Sequence, residues 1–215
     1  MTWTSSSSGG GSPLRPGFSL LAISDRASLP HPLEPWLRAL AAAEIGAVQI
    51  REKDLEDGAL YGLARLAREA LPPPCRLLVN GRADVALAAG ADGVHLPADG
   101  LPVAALRARF GPGILLGRST HRVEEVERAR DEGADYVTFG PVYETPGKGA
   151  PTGLGELARA AAAGLPVYAL GGVTLERFGE LAGAGAAGIA AIRLFQKISD
   201  LTEVARAAGE QFVRR

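Results

Sequence analysis

The stretch DEGADYVTFG, residues 131–140, closes a charged helical pattern with a Gly-Ala pair and then turns into a short, β-branched apolar run. The same grammar recurs in EIGAVQIR (44–51), AAGADGVHL (88–96) and GAGAAGIAAI (183–192). A glycine just past the last helical turn suits the left-handed conformation that ends a helix. The marker glycines Gly46, Gly90, Gly133 and Gly185 stand 44, 43 and 52 residues apart. That spacing leaves room for two strand–helix units per repeat, and a period of this size is a signature of fold. Four more apolar runs fall between the markers: FSLLAIS (18–24), RLLVN (76–80), ILLGRS (114–119) and PVYALGG (166–172). Most of the eight lack clean alternation, as strands buried on both faces do. Helical patterns such as LYGLARLAREAL (60–71) and VEEVERARDEG (123–133) separate them. Eight alternating units predict an α/β fold, a single closed (β/α)8 TIM barrel over residues 17–215. A doubly wound open sheet is the alternative; the even period and the lack of a dinucleotide-type glycine fingerprint weigh against it.

Composition narrows the function classes. Of 215 residues, 47% are hydrophobic and 22% charged, ordinary values for a soluble globular domain. A formal net charge of -1 offers no electrostatic footprint for nucleic acid or an anionic membrane surface. The single cysteine, Cys75, excludes an intramolecular disulfide and a cysteine-rich zinc site. No apolar run approaches the ~20 residues that span a bilayer. The opening MTWTSSSSGGGSPLRPG lacks the pattern of a signal peptide, and residues 1–16 read as a disordered Ser/Gly-rich leader. A cytoplasmic protein is expected, with self-association into a homo-oligomer left open.

In a barrel of this kind, chemistry gathers at the C-terminal ends of the strands. The second strand ends in QIREKD, which brings Gln49, Arg51 and Lys53 to that rim, with Gln49 and Arg51 on one face. An inward Arg51 needs an anionic ligand or a carboxylate such as Glu52; a structural ion pair is the plainer reading. Asn80, closing the third strand, either orients a ligand or caps the helix that begins near Ala83. His95, within the fourth strand, reads as a satisfied core histidine, and Asp99, in a Pro/Gly turn, as a helix cap rather than a metal ligand. GPVYETPGKGAPTGL (140–154) is long enough to act as a substrate clamp carrying Thr145 and Lys148, or to be simply a mobile loop. Gly171 and Gly172 after the seventh strand, with Ile192 and Arg193 after the eighth, suit a backbone phosphate cradle; close packing alone is the alternative for the glycines.

His121 has the strongest chemical position. It follows GRST at the mouth of the next helix, where Ser119 or Thr120 can cap and where Glu124 and Glu125 suit the positive end. That field disfavours an imidazolium, and a neutral imidazole on the rim can move protons. An ordinary surface histidine is the alternative.

Five motifs occur in register: VQIREK, VNGRADVALAAGADGVHL, GRSTH, GADYVTFGPVYET with Lys148, and ALGGV. Together, across residues 18 to about 195, they resemble the thiamine phosphate synthase/thiazole tautomerase superfamily. In the synthase branch the resemblance implies coupling of an aminopyrimidine pyrophosphate to a thiazole phosphate, with Mg²⁺ held by two aspartates. Those two positions are Gly81 and Gly100 here, and Gly147 replaces the second threonine of a Thr-x-Thr-Lys loop. Asp84 and Asp99 lie nearby but off those positions. Hard cations need oxygen ligands, so the pattern is closer to the TenI-type tautomerase branch. That branch implies no metal and no cofactor, a carboxylated thiazole phosphate as substrate, and His121 as the acid/base. The substrate phosphate would lie near Gly172 and the eighth strand, where Arg193 replaces a serine usual in the family.

Three readings follow. The leading expectation is a cofactor-independent isomerase, a thiazole tautomerase. The second is a thiamine phosphate synthase with unconventional ligands, needing Mg²⁺, and the third a non-catalytic thiazole-phosphate binder.

Overall fold

A computed structural model of the chain describes residues 16–198 and 200–212; the leader expected over 1–16 lies, apart from Pro16, outside them. Eight strands form one closed ring in sequence order: β1 (Leu20–Ile23), β2 (Ala47–Ile50), β3 (Arg76–Asn80), β4 (Gly93–Leu96), β5 (Leu115–Thr120), β6 (Tyr136–Phe139), β7 (Val167–Leu170) and β8 (Gly188–Ala191). All neighbours pair parallel, and β1 closes the ring on β8 through Leu21 opposite Ala190. The strand count and topology of a TIM barrel are therefore as expected, and the open sheet is excluded. The helices between and after the strands are α1 (Leu33–Ala42), α2 (Asp57–Ala70), α3 (Ala83–Ala89), α4 (Val103–Phe110), α5 (Val123–Asp131), α6 (Gly153–Ala161), α7 (Phe178–Gly183), α8 (Arg193–Lys197) and α9 (Leu201–Gln211). Among the described residues no helix is long and apolar enough to cross a membrane.

The repeated Gly-Ala-Asp unit has a mechanical meaning. Gly90 and Gly133 take positive φ to end their helices, and the aspartate two residues on stitches the neighbouring strand. Asp92 accepts from the Leu77 amide at 2.8 Å and pairs with Arg68 and Arg76. Asp135 accepts from the Leu116 amide at 2.7 Å and pairs with Arg107. The first repeat departs from this pattern: the left-handed residue is Glu44, not Gly46. Gly46 is there for space, since a Cβ would stand 2.6 Å from that of Phe18.

The core has two shells. The larger lies between strands and helices; the smaller fills the lumen with Phe18, Leu21, Leu78, Leu115, Tyr136 and Tyr168. Tyr136 meets Phe18 and Tyr168 edge-to-face, with centroid separations of 5.6 and 5.4 Å at 79°, the arrangement that aromatic quadrupoles favour. Gly117 in the LLGRS run makes room for this plug: a Cβ there would fall 2.1 Å from the Tyr136 ring. The plug seals one end of the lumen and leaves the C-terminal end hollow.

Candidate active site

The hollow end is a cavity of about 800 Å³. Every residue expected at the site lines it: Gln49, Arg51 and Lys53 after β2, Asn80 at β3, Ser119 and His121 at β5, Thr145 and Lys148 in the following loop, and Gly171, Gly172, Ile192 and Arg193 after β7 and β8. The polar floor is laid by strand parity. Gln49 is buried at 1% exposure and its amide nitrogen donates to Asn80 Oδ1 at 3.0 Å. Its Oε1 is buried and has no partner, in a residue that lines the cavity. A buried carbonyl left without a donor is costly, which is a reason to look for a ligand donor.

Several readings resolve here. Glu52 does not serve Arg51. It accepts from Ser24 Oγ at 2.5 Å and from the Arg26 amide, and Arg26 is its ion-pair partner. The Arg51 side chain is thus left at the cavity wall. Asn80 does not cap α3, which has no side-chain cap. Ser119 and Thr120 do not cap α5 either. Thr120 Oγ1 donates across to the Thr138 carbonyl at 3.0 Å, and Ser119 Oγ lies 2.9 Å from His95 Nε2. The amide exposed at the start of α5 is met by Glu125, which accepts from the His121 N–H at 2.7 Å.

His95 is a satisfied core histidine, as its place within β4 suggests. Its Nδ1 lies 3.0 Å from the Tyr136 hydroxyl, and it is 2% exposed. Burial, with the nearby charges of Arg51 and Arg118 adding to it, pushes its pKa down to about 3. It is a neutral link between the aromatic plug and Ser119. His121 stands at the rim with Nδ1 2.5 Å from the Gly140 carbonyl. A carbonyl only accepts, so Nδ1 carries the proton and the ring tethers the start of the β6–α6 loop. That loop is held rather than loose. Tyr143 donates to Glu180 at 2.6 Å, its ring lies 4.0 Å from the Arg177 guanidinium, and Arg177 reaches the Gly172 carbonyl at 2.5 Å.

Gly171 and Gly172 have positive φ, and their Cβ positions would strike Pro141 and Tyr143 at 2.6 and 2.7 Å. Close approach explains both glycines without a phosphate, although both line the cavity. Arg193 also lines it, at the start of α8. Asp84 takes no part: it is locked to Arg82 at 2.6 Å, which holds its carboxyl down near 2.

Sequence reasoning passes over Tyr136 and Arg118. Arg118 points to the outside of the ring and donates to the carbonyls of Ala98 (2.8 Å), Leu101 (2.6 Å) and Gly100 (3.4 Å). It thereby holds the turn after β4. An arginine between two inward residues of a strand end is the signal that points to it.

The family model described as thiamine monophosphate synthase matches residues 20–195. A thiamine-phosphate synthase of Chlorobium luteolum is 42% identical over 87% of this chain and 89% of its own. Another, of Anaeromyxobacter dehalogenans, is 43% identical over 74% of each chain. Among solved structures, thiamine phosphate pyrophosphorylase from Pyrococcus furiosus is 28% identical, with 90% of this chain and 96% of that one covered and a TM-score of 0.81. These findings overturn the tautomerase expectation. Relatives matched over most of the chain carry the name of a transferase, not of an isomerase, and the isomerase role given to His121 goes with it. The chain belongs to the thiamine monophosphate synthase family.

Proposed function

We propose that this chain is a thiamine-phosphate synthase, a cytoplasmic transferase that couples an aminopyrimidine pyrophosphate to a thiazole phosphate and releases pyrophosphate. The observation that carries the reading is Gln49, a residue of the cavity lining whose buried Oε1 is unpartnered. An exocyclic amine on a flat heterocycle supplies the donor it lacks, with Asn80 beside it. Cationic side chains stand around the mouth at Arg51, Lys53, Lys148 and Arg193, suited to a pyrophosphate and a second phosphate.

In the coupling, the bond from carbon to the pyrophosphate oxygen breaks and the leaving group takes the electron pair. A bond from that carbon to the thiazole ring replaces it. The work of the protein is to stabilise the departing charge and align the two rings. Arg51, Lys53, Ser119, Thr145 and Lys148 are assigned to the pyrophosphate. The amides and side chains near Gly171, Gly172, Ile192 and Arg193 are assigned to the thiazole phosphate. His121 is assigned a positioning role, holding the loop that carries Thr145 and Lys148 through the Gly140 carbonyl.

A magnesium ion, which the family resemblance attaches to the synthase branch, does not fit these residues. Among the described residues no group of three or more His, Cys, Asp or Glu could hold a metal. The carboxylates at the cavity are Asp99, after β4, and Glu176, after β7, three strands apart around the ring.

The test is direct. Purified protein given both substrates should form thiamine phosphate, and Gln49→Met should lower kcat/KM. No thiamine phosphate at saturating substrates, with Mg²⁺ and without, would reject the reading.

A further inference from the structure

We infer that this chain neutralises the pyrophosphate group with its own fixed cations, at a site that excludes a divalent ion. The inference rests on the synthase reading and names the charge partner of that site.

Three observations converge. First, the side chains around the cavity are unbalanced: Arg51, Lys53, Lys148, Arg193 and Lys197 face it against Asp99 and Glu176. A hard dication is held by several oxygens, mostly carboxylates, whereas a guanidinium or ammonium meets phosphate oxygens directly.

Second, three backbone carbonyls of the turn after β4 are already engaged, and Asp99 is the one carboxylate of that turn at the cavity. Gly100 brings no side chain, and the carbonyls of Ala98, Gly100 and Leu101 accept from the Arg118 guanidinium. A fixed positive charge therefore backs the turn where the family resemblance expects a metal-binding aspartate. Across from it Gly81 brings no side-chain oxygen either, and the nearby Asp84 is paired with Arg82 outside the cavity.

Third, the positive potential reaches the floor. The guanidinium groups of Arg51 and Arg118 are the charges that add to burial in keeping His95 unprotonated. Burial is the main cause, and Arg51, which lines the cavity, favours an anion over a cation there.

The experiment uses the whole chain and inorganic pyrophosphate as the probe, by titration calorimetry in EDTA and again in excess Mg²⁺, alongside coupled turnover in both buffers. Binding in EDTA, with turnover there within about threefold of that in Mg²⁺, is the expected result. Arg51→Met and Lys53→Met should each weaken pyrophosphate binding in EDTA by about tenfold, the scale of a lost charge-assisted hydrogen bond. Asp99→Asn should tighten it, because it removes a like charge. Pyrophosphate binding or turnover that appears only with Mg²⁺ overturns the inference while leaving the transferase reading intact. Loss of binding in Asp99→Asn overturns it in the same way. Absence of pyrophosphate binding in both buffers overturns the inference, and absence of thiamine phosphate in both rejects the transferase reading itself.

Discussion

The two ends of the barrel lumen are built from the same eight strands and do opposite things. At the N-terminal end Phe18, Tyr136 and Tyr168 close the space, and the nearby carboxylates, Asp92 and Asp135, are bound to arginines and strand amides. At the C-terminal end the inward positions are amides, hydroxyls and cations around a cavity, and one buried carbonyl oxygen has no donor. Among the described residues, Gln49 Oε1 is the buried side-chain polar atom without a partner, and it belongs to the open end. His95 joins the two ends, touching Tyr136 on one side and Ser119 on the other.

The sharpest way to break this contrast is to open the plug. Tyr136→Ala should cost about 3–5 kcal/mol, the range for removing a buried aromatic ring, measured by urea denaturation. A loss below about 1 kcal/mol would mean the lumen relaxes to fill the gap, and the plug is not what holds that end.

The next effect is carried by pH through His95. Its folded pKa is about 3, against about 6.5 in an unfolded chain. Between those values the unfolded chain binds a proton that the folded chain refuses, so stability is complete above the upper value and drains away as pH falls toward the lower. At pH 5 the loss should be about 2 kcal/mol. Urea midpoints at pH 7 and pH 5 test this, and His95→Gln should flatten the difference. An equal drop in that variant would place the proton elsewhere.

Gln49→Met should separate stability from activity at the other end. It removes one unpaired acceptor and leaves Asn80 Oδ1 short of its donor, so folding stability should change by less than about 1 kcal/mol. The value of kcat/KM should fall about tenfold or more, as a lost substrate hydrogen bond dictates. A variant as active as the parent would remove Gln49 from the site.

The smallest effect expected is that of Arg118→Met, about 1 kcal/mol in stability for hydrogen bonds at a half-buried position. Its informative readout is KM for the pyrophosphate substrate, which should rise as the turn after β4 loosens. An unchanged KM would confine Arg118 to the scaffold.

The ring itself is legible because its repeat is written in residues whose roles are local. A helix-ending glycine and an apolar run need no distant partner to be read, and two-residue parity then puts Gln49 and Arg51 on one face. What stays hidden depends on contacts between strands. Ser119 and Thr120 look like caps in isolation, yet their partners are on β4 and β6. Arg118 binds carbonyls 17 to 20 residues away, which no spacing rule reports. The sequence misleads about the reaction because the missing aspartates at Gly81 and Gly100 stand out in it, while the cations it also places on the rim, Arg51, Lys53, Lys148 and Arg193, say nothing of which reaction they serve.

Closure of β1 on β8 has one more consequence. A strand in an open sheet can slip by a residue at the cost of its neighbours on one side. In a closed ring a slip must propagate through all eight pairings, and any strand that moved by one residue would turn its lumen side chains to the helices. The inward set of Gln49, Asn80, His95 and Ser119 is therefore inherited as a unit, and substrate preference in such a chain changes by redrawing its loops while the staves keep their order.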